Sequence, residues 1–142
     1  MHLPTQASRS ANKDMEEITM EYVSTNQAPN AIGPYSQAVK ANGMLFTSGQ
    51  IAINPSTNNV DAVTIEAQTT QVCENLKAVV EAAGTSMQKV VKTVCFLADI
   101  NDFSAFNEVY DRYFVSKPAR SCVAVKDLPK GVLCEIELIA EL

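Results

Sequence analysis

Two residues in the C-terminal third of the chain have side chains suited to chemistry on a small molecule. Glu135 stands between large apolar residues in a segment that alternates like a strand, and Arg120 opens an earlier apolar run. A carboxylate on a covered apolar face has a raised pKa, which suits proton transfer. On a solvated face, Glu135 is an ordinary surface group. Arg120 is likewise either a ligand contact or half of an ion pair with Glu137.

A predicted hairpin decides which of these residues share a face. With its turn centred between residues 128 and 129, Cys122 lies opposite Glu135, and Arg120 lies opposite Glu137. All four side chains then point to one side of the sheet. A shift of one residue in the register would move a whole strand's set to the other side.

Four other residues are candidates for a ligand site, each with a structural alternative. Asn107 lies beside an apolar helical stripe and is either a satisfied buried amide or a site contact. Tyr35 lies in a rigid loop and is either a site residue or a packing anchor. Ser48 and Gly49 end an apolar strand, where a glycine permits close backbone approach to a ligand. A plain strand-to-turn exit explains the last two equally well.

The usual motifs of cofactor and metal enzymes are absent from the sequence. We find no GxGxxG, P-loop, nucleophile elbow or zinc-ligand spacing. The only histidine, His2, lies in a polar leader, so the commonest general base and metal ligand is missing from the rest of the chain. The sequence therefore predicts no metal and no cofactor. The four cysteines are far apart and predict reduced, packed thiols: Cys73, Cys95, Cys122 and Cys134.

The charge and hydropathy of the chain exclude several classes of partner. The net charge is −5, and no run of lysine or arginine offers a stripe that could follow a phosphate backbone, so nucleic-acid binding is not expected. No apolar stretch approaches the length of a membrane span, and no secretory segment is evident. We expect a flexible extension at residues 1–19 and a cytoplasmic protein, with mitochondrial matrix targeting left open.

The pattern of apolar residues predicts an α+β domain with the order β-β-β-α-β-α-β-β. Two helices then cover one face of a mixed sheet. The opposite face carries apolar residues that the same chain cannot cover, which predicts oligomerisation. The predicted strands are 21–24, 36–40, 44–48, 90–97, 120–125 and 132–140, and Asn42-Gly43 predicts a hairpin turn between the second and the third. The predicted helices are 64–83 and 102–114, and the inner face of the second includes Phe103 and Tyr110 as packing residues.

Five sequence blocks together resemble the RidA family, also called the YjgF or L-PSP endoribonuclease family. They are AIGPYSQ at 31–37, LFTSGQ at 45–50, NDFSAFN at 101–107, PARSCVAVKDLPKG at 118–131 and EIE at 135–137. The resemblance implies a single domain over residues 20–142. It also implies a chorismate-mutase-like α+β fold, with a two-helix layer on a mixed sheet. The implied assembly is a homotrimer around a central barrel, with sites between subunits.

The resemblance further implies a metal-free hydrolase. Its substrates would be reactive 2-imino or 2-enamino acids, such as 2-iminobutanoate and 2-iminopropanoate, which it converts to 2-keto acids and ammonia. Arg120 would bind the substrate carboxylate, Glu135 would handle the proton of the attacking water, and the backbone around Cys122 would meet the imino nitrogen. The other implied pocket residues are Tyr35, Ser48, Gly49 and Asn107. The alternatives are an endoribonuclease and a non-catalytic trimer that binds small acids.

Overall fold

The computed structural model describes residues 19–142, so the extension predicted at residues 1–19 lies outside this range except for its last residue. Within the described range, the elements follow the predicted order. The strands are β1 (Glu21–Val23), β2 (Ala38–Ala41), β3 (Met44–Thr47), β4 (Val90–Leu97), β5 (Ala119–Ala124) and β6 (Cys134–Glu141). The helices are α1 (Ile65–Ala82) and α2 (Phe103–Tyr113).

The strands form one six-stranded mixed sheet in the order β1-β2-β3-β6-β4-β5. All neighbours are antiparallel except β4 and β5, which are parallel and are connected through α2. The hairpin predicted at Asn42-Gly43 is confirmed. These two residues have φ angles of 51° and 74°, and a type I′ turn needs a positive φ at both central positions.

The predicted hairpin between β5 and β6 is wrong, because β4 lies between the two strands. Arg120 pairs with Thr93 of β4, whereas Glu137 pairs with Val94 on the other side of that strand. β4 is nearly continuously apolar and takes a partner on both edges, as a central strand does. The segment between β5 and β6 therefore passes the end of β4 instead of making a tight turn.

One face of the sheet packs on the two helices and forms the core. Helix α1 begins at a cap in which the Thr64 hydroxyl accepts a hydrogen bond from the Ala67 N–H (3.1 Å). Leu76 of α1 and Ile136 of β6 are both fully buried in this layer. Each such side chain contributes about 2 kcal/mol through burial alone. The other β6 residues on this face are Cys134, Leu138 and Ala140.

Neither helix covers the other face of the sheet, as predicted. Phe46 on this face is 43% exposed, and Val123 is 47% exposed. Between them, Glu135 and Glu137 alternate with the buried residues of β6 and point away from the helices. We call this surface the open face. It combines apolar side chains with two carboxylates. Within residues 19–142, no helix has the length and hydropathy to cross a membrane.

Candidate functional site

A cleft of about 510 Å³ brings four of the predicted site residues together. Glu135 enters it from β6, and Ser48 and Gly49 enter from the segment that follows β3. Tyr35 comes from the loop before β2 and is 53% exposed. We call this site the carboxylate cleft. The structure therefore groups Tyr35, Ser48, Gly49 and Glu135, as the sequence analysis expected of pocket residues.

Glu135 is the titratable group at the centre of the carboxylate cleft. Its side chain is half-buried, and this desolvation raises its pKa above the ordinary glutamate value. The neighbouring charge of Glu137, two residues away on the same strand face, raises the pKa further. Glu135 can thus accept a proton and hold it at a higher pH than a surface glutamate.

Gly49 is in van der Waals contact with the Glu135 side chain. A Cβ built at Gly49 would overlap the Glu135 carboxylate and would lie only 2.9 Å from its Cδ atom. The glycine was predicted to allow a close backbone approach to a ligand. The structure shows that it allows the Glu135 carboxylate itself to lie close to the backbone.

We expect Gly49→Ala to lower kcat/KM for the reaction proposed below by about tenfold, because the added methyl group displaces the Glu135 carboxylate. The overlapping atoms belong to the flexible end of a side chain, so the free energy of unfolding should change by less than about 1 kcal/mol. Steady-state kinetics and thermal unfolding of the variant check both statements. Full activity in the folded variant would show that the position of this carboxylate does not matter.

Gln37 holds the loop that carries Tyr35, and the sequence analysis did not identify it. Its buried carboxamide donates to the backbone carbonyls of Pro29 (2.7 Å) and Thr25 (3.1 Å) and accepts from the Thr25 N–H (2.7 Å). The signal that could have found it is a long polar side chain directly before the apolar residues of β2. On the neighbouring segment, the Ser48 hydroxyl donates to the Ser36 carbonyl (2.6 Å), so its lone pairs remain as acceptors.

A second cleft, of about 470 Å³, contains the other two polar site residues. An Arg120 Nη1–H donates to the Asn107 Oδ1 (2.8 Å), so the Asn107 amide is a contact of Arg120. The guanidinium carbon lies 4.7 Å from the centre of the Tyr110 ring and 5.4 Å from that of Phe103. We call this site the arginine cleft, with Asn107, Tyr110 and Arg120 as its defining residues.

Arg120 makes no ion pair within residues 19–142, which excludes a pair with Glu137 in one copy of the chain, the structural alternative considered for this residue. The parallel pairing with β4 explains this result, because it turns Arg120 to the helix side of the sheet. Thr93, which pairs with Arg120, is fully buried and contacts α2. Besides the bond to Asn107, the guanidinium has further N–H donors that could bond to a ligand.

The arginine and carboxylate clefts lie on opposite faces of the sheet. Arg120 points to α2, whereas Glu135 and Glu137 point to the open face. The expectation that Arg120, Cys122, Glu135 and Glu137 share one face is therefore wrong. Within one copy of the chain, Arg120 and Glu135 therefore cannot contact the same small molecule.

Cys122 lies on the helix side of β5, next to Cys95 of β4. Its thiol is half-buried, and burial raises its pKa even though the nearby charge of Arg120 acts in the opposite direction. The thiol therefore stays protonated near neutral pH, which argues against a nucleophilic thiolate. Strand β5 is the edge of the sheet, so the backbone at Cys122 has a side that pairs with no described strand.

Comparison with known proteins decides the family. The family model described as Endoribonuclease L-PSP matches residues 25–142. The chain belongs to this RidA/L-PSP family. A RutC family protein of Pyrococcus horikoshii is 54% identical over 121 residues, which cover 84% of this chain and 96% of the relative. A RutC family protein of Synechocystis is 50% identical over 128 residues, which cover 88% and 98%.

Solved structures of RidA/L-PSP proteins have the same fold. RidA from an Antarctic Psychrobacter is 42% identical, with a TM-score of 0.82 over 86% of this chain and 99% of that one. Escherichia coli TdcF, solved with bound serine, is 44% identical, with a TM-score of 0.82 over 86% and 98%. The mixed six-stranded sheet with two helices is thus a RidA-family fold.

The described part of this RidA/L-PSP chain has no group of three or more histidine, cysteine, aspartate or glutamate side chains that could hold a metal ion. Among the predicted site residues, Glu135 supplies a carboxylate in the carboxylate cleft and Arg120 supplies a guanidinium in the arginine cleft. Such a pair can bind an acid and move a proton. It offers no set of ligands for a divalent cation.

Proposed function

We propose that the chain hydrolyses 2-imino acids and their 2-enamino tautomers to 2-keto acids and ammonia. The observation that carries this proposal is the set of contacts that the Arg120 side chain makes. Its guanidinium lies over aromatic rings, bonds to one amide oxygen and has no carboxylate partner within residues 19–142. A planar guanidinium held in this way is suited to grip the carboxylate of a small acid through two parallel hydrogen bonds.

Glu135 supplies the proton transfer that hydrolysis requires. The imine carbon is already electrophilic, so a water molecule can attack it without a metal or a covalent nucleophile. Glu135 takes a proton from that water as the C–O bond forms and passes a proton to the nitrogen. Through Glu135, the hydroxyl proton of the resulting carbinolamine then passes to the nitrogen as the C–N bond breaks, and ammonia and the 2-keto acid leave. The raised pKa of Glu135 suits both directions of this transfer.

The position of the two clefts supports a site shared between copies of the chain. We propose that each complete site combines the arginine cleft of one subunit with the carboxylate cleft of the next, in a homotrimer whose open faces line a central barrel. Burial of the open face would remove Phe46 and Val123 from water and would desolvate Glu135 further. The serine bound by the relative TdcF supports a ligand that carries a carboxylate.

A coupled assay tests the activity directly. A threonine dehydratase generates 2-iminobutanoate from threonine, and the release of 2-oxobutanoate is followed with and without the purified protein. We expect the protein to accelerate release above the spontaneous rate in proportion to its concentration. Release that is unchanged at a micromolar concentration of folded protein would exclude the proposed activity for this substrate.

Mixing two inactive variants tests whether the site is shared. Arg120→Ala and Glu135→Gln each remove one half of the site. Subunits exchanged at a ratio of one to one should therefore form wild-type sites at about a quarter of all interfaces. We expect the mixture to recover about a quarter of the wild-type activity, while each variant alone stays near the background. If both residues acted within one subunit, the mixture would remain inactive after exchange.

The family description also names an endoribonuclease, and the same preparations can test this alternative. The net charge of −5 and the absence of a basic stripe do not favour binding to an RNA backbone. RNA cleavage that co-purifies with the protein and disappears in Glu135→Gln would support a ribonuclease. Cleavage that is equal in wild type and variant would come from a contaminant. Binding of 2-keto acids without any turnover would instead favour a non-catalytic trimer.

A further inference from the structure

The Arg120 guanidinium lies over an aromatic ring whose orientation is itself fixed. The guanidinium carbon is 4.7 Å from the centre of the Tyr110 ring, the nearer of its two aromatic neighbours. On the same ring, the Tyr110 hydroxyl lies 2.6 Å from the Thr93 hydroxyl. Phe114 stacks on Tyr110 at 4.3 Å between ring centres. The ring is thus held both by a hydrogen bond at its edge and by an aromatic neighbour.

Thr93 connects this ring to the strand that carries Arg120. Thr93 is fully buried on β4 and is the direct register partner of Arg120 on β5. The bond from Thr93 to Tyr110 therefore ties α2 to the sheet at the level of Arg120. A buried hydroxyl pair is costly to form without mutual hydrogen bonding, and a phenylalanine would fill the same apolar space without that cost. Packing alone therefore does not require the Tyr110 hydroxyl, and its bond to Thr93 instead fixes the position of the ring.

We propose that Tyr110 is a positioning residue for substrate binding: its ring supports the Arg120 guanidinium, and Thr93 fixes the ring. This inference rests on the proposed function, because it assigns Arg120 to the substrate carboxylate. Arginine has many side-chain conformers, and freezing them upon binding lowers affinity. The ring and the Asn107 amide restrict these conformers before the ligand arrives, so the remaining N–H donors are already oriented.

The chemistry of Tyr110 is compatible with this role over the working pH range. Burial raises the pKa of Tyr110 to about 12, so the phenol stays neutral. A neutral phenol keeps its hydrogen bond to Thr93 and presents an uncharged ring face to the guanidinium. Arg120 is attracted to that face by a cation–π interaction, which strengthens when water is excluded from the cleft.

Affinity for 2-oxobutanoate tests the positioning role separately from turnover. This product keeps the carboxylate, and its binding is measured by calorimetry. We expect Tyr110→Leu to weaken binding and to raise KM by about tenfold, with kcat changed less than about twofold. Tyr110→Phe keeps the ring and loses only the bond to Thr93, so it should show about a threefold effect. Thr93→Val should match Tyr110→Phe, and the double variant should add nothing, because both substitutions break the same bond.

Two controls separate positioning from loss of packing. Leu76→Ala on α1 removes a fully buried side chain and should lower stability without changing the affinity for 2-oxobutanoate. In an Arg120→Ala background, Tyr110→Leu should have no further effect on binding. An equal loss of affinity in Leu76→Ala, or an undiminished effect of Tyr110→Leu without Arg120, would overturn the proposal. If Tyr110→Leu fails to fold, the pair Tyr110→Phe and Thr93→Val decides the matter by the same criteria.

The same binding and kinetic measurements distinguish the proposed imine hydrolysis from the proposed positioning role of Tyr110. A wild type that binds 2-oxobutanoate but hydrolyses no imine would contradict the proposed function, while the binding data would still support or refute the role of Tyr110. A wild type with no affinity for 2-oxobutanoate would overturn the positioning role, because Arg120 would then not be a carboxylate anchor.

Discussion

Replacement of Glu135 by glutamine is expected to lower kcat for imine hydrolysis by about a thousandfold, with little change in KM. Glutamine has nearly the same shape and can fill the same space against Gly49, but it cannot take a proton from water. The carboxylate acts on water and nitrogen during the reaction and is not required to hold the substrate carboxylate. Steady-state kinetics with dehydratase-generated imine, corrected for spontaneous hydrolysis, measure both parameters.

The matched control is Glu137→Gln, two residues away on the same strand face. Glu137 raises the pKa of Glu135 through its charge, after the larger effect of burial. In wild type, activity should fall on acidification at a pH above the ordinary glutamate pKa, because the base becomes protonated. Glu137→Gln should retain activity at neutral pH, and in this variant the fall of activity on acidification should occur at a lower pH. If activity fell at the same pH in the variant and in wild type, Glu137 would not influence Glu135.

The same pKa shift predicts an unusual stability profile for Glu135→Gln. Because its pKa is raised on folding, the folded protein holds the proton more tightly than the unfolded chain does. The resulting stability is fully present below the ordinary glutamate pKa and is lost as the pH rises through the raised value. At neutral pH the neutral glutamine should therefore be at least as stable as the ionised glutamate, and the difference should shrink at pH about 4. Thermal unfolding at both pH values measures this difference.

Short-range signals in the sequence predicted most of the elements correctly. Asn42-Gly43 defines a two-residue hairpin turn, and Thr64 caps α1, so a few neighbouring residues contain the necessary information. The apolar run of β4 was predicted at its observed bounds, Val90–Leu97. The uncovered sheet face also followed from alternation in β6, since side chains of opposite character alternate strictly along a strand.

The pairing of β5 with β6 could not be predicted from short-range signals, because several strands compete for each edge. The segment 125–133 looks like a turn. Yet its nine residues span far more than the about 10 Å needed to pass one intervening strand. β4 takes the central position because its nearly continuous apolar run suits a strand that pairs along both edges. The error put Arg120 and Glu135 on one face and concealed the division of the site into two clefts.

The contact of Arg120 with the aromatic rings of α2 also could not be predicted from the sequence. Tyr110 and Phe103 were predicted on the inner face of α2 as packing residues, and helical spacing says nothing about which of them meets Arg120. That contact depends on how α2 lies across β4 and β5. The sequence left open whether Glu135 lies on a covered or a solvated face. The structure decides for a half-buried carboxylate, because Gly49 and other cleft residues that are distant in sequence lie beside it.

Replacement of Arg120 by alanine is expected to lower kcat/KM by about a thousandfold, mainly through KM. Two charge-assisted hydrogen bonds to a carboxylate are together worth about 4 kcal/mol, which corresponds to this factor. The substrate carboxylate does not change during hydrolysis, so Arg120 binds the ground state and the transition state about equally. The affinity for 2-oxobutanoate should therefore fall by the same factor, as calorimetry can measure.

Arg120→Lys separates charge from geometry at this position. Lysine keeps the positive charge but lacks the planar fork, so it cannot bond to Asn107 and grip a carboxylate in the same way. We expect it to recover only part of the loss, with kcat/KM about thirtyfold below wild type. Full recovery would mean that charge alone is sufficient and that the support by Tyr110 and Asn107 has no function. A loss in kcat instead of KM would place Arg120 in the chemical step, which is not expected of a group that binds a carboxylate unchanged by the reaction.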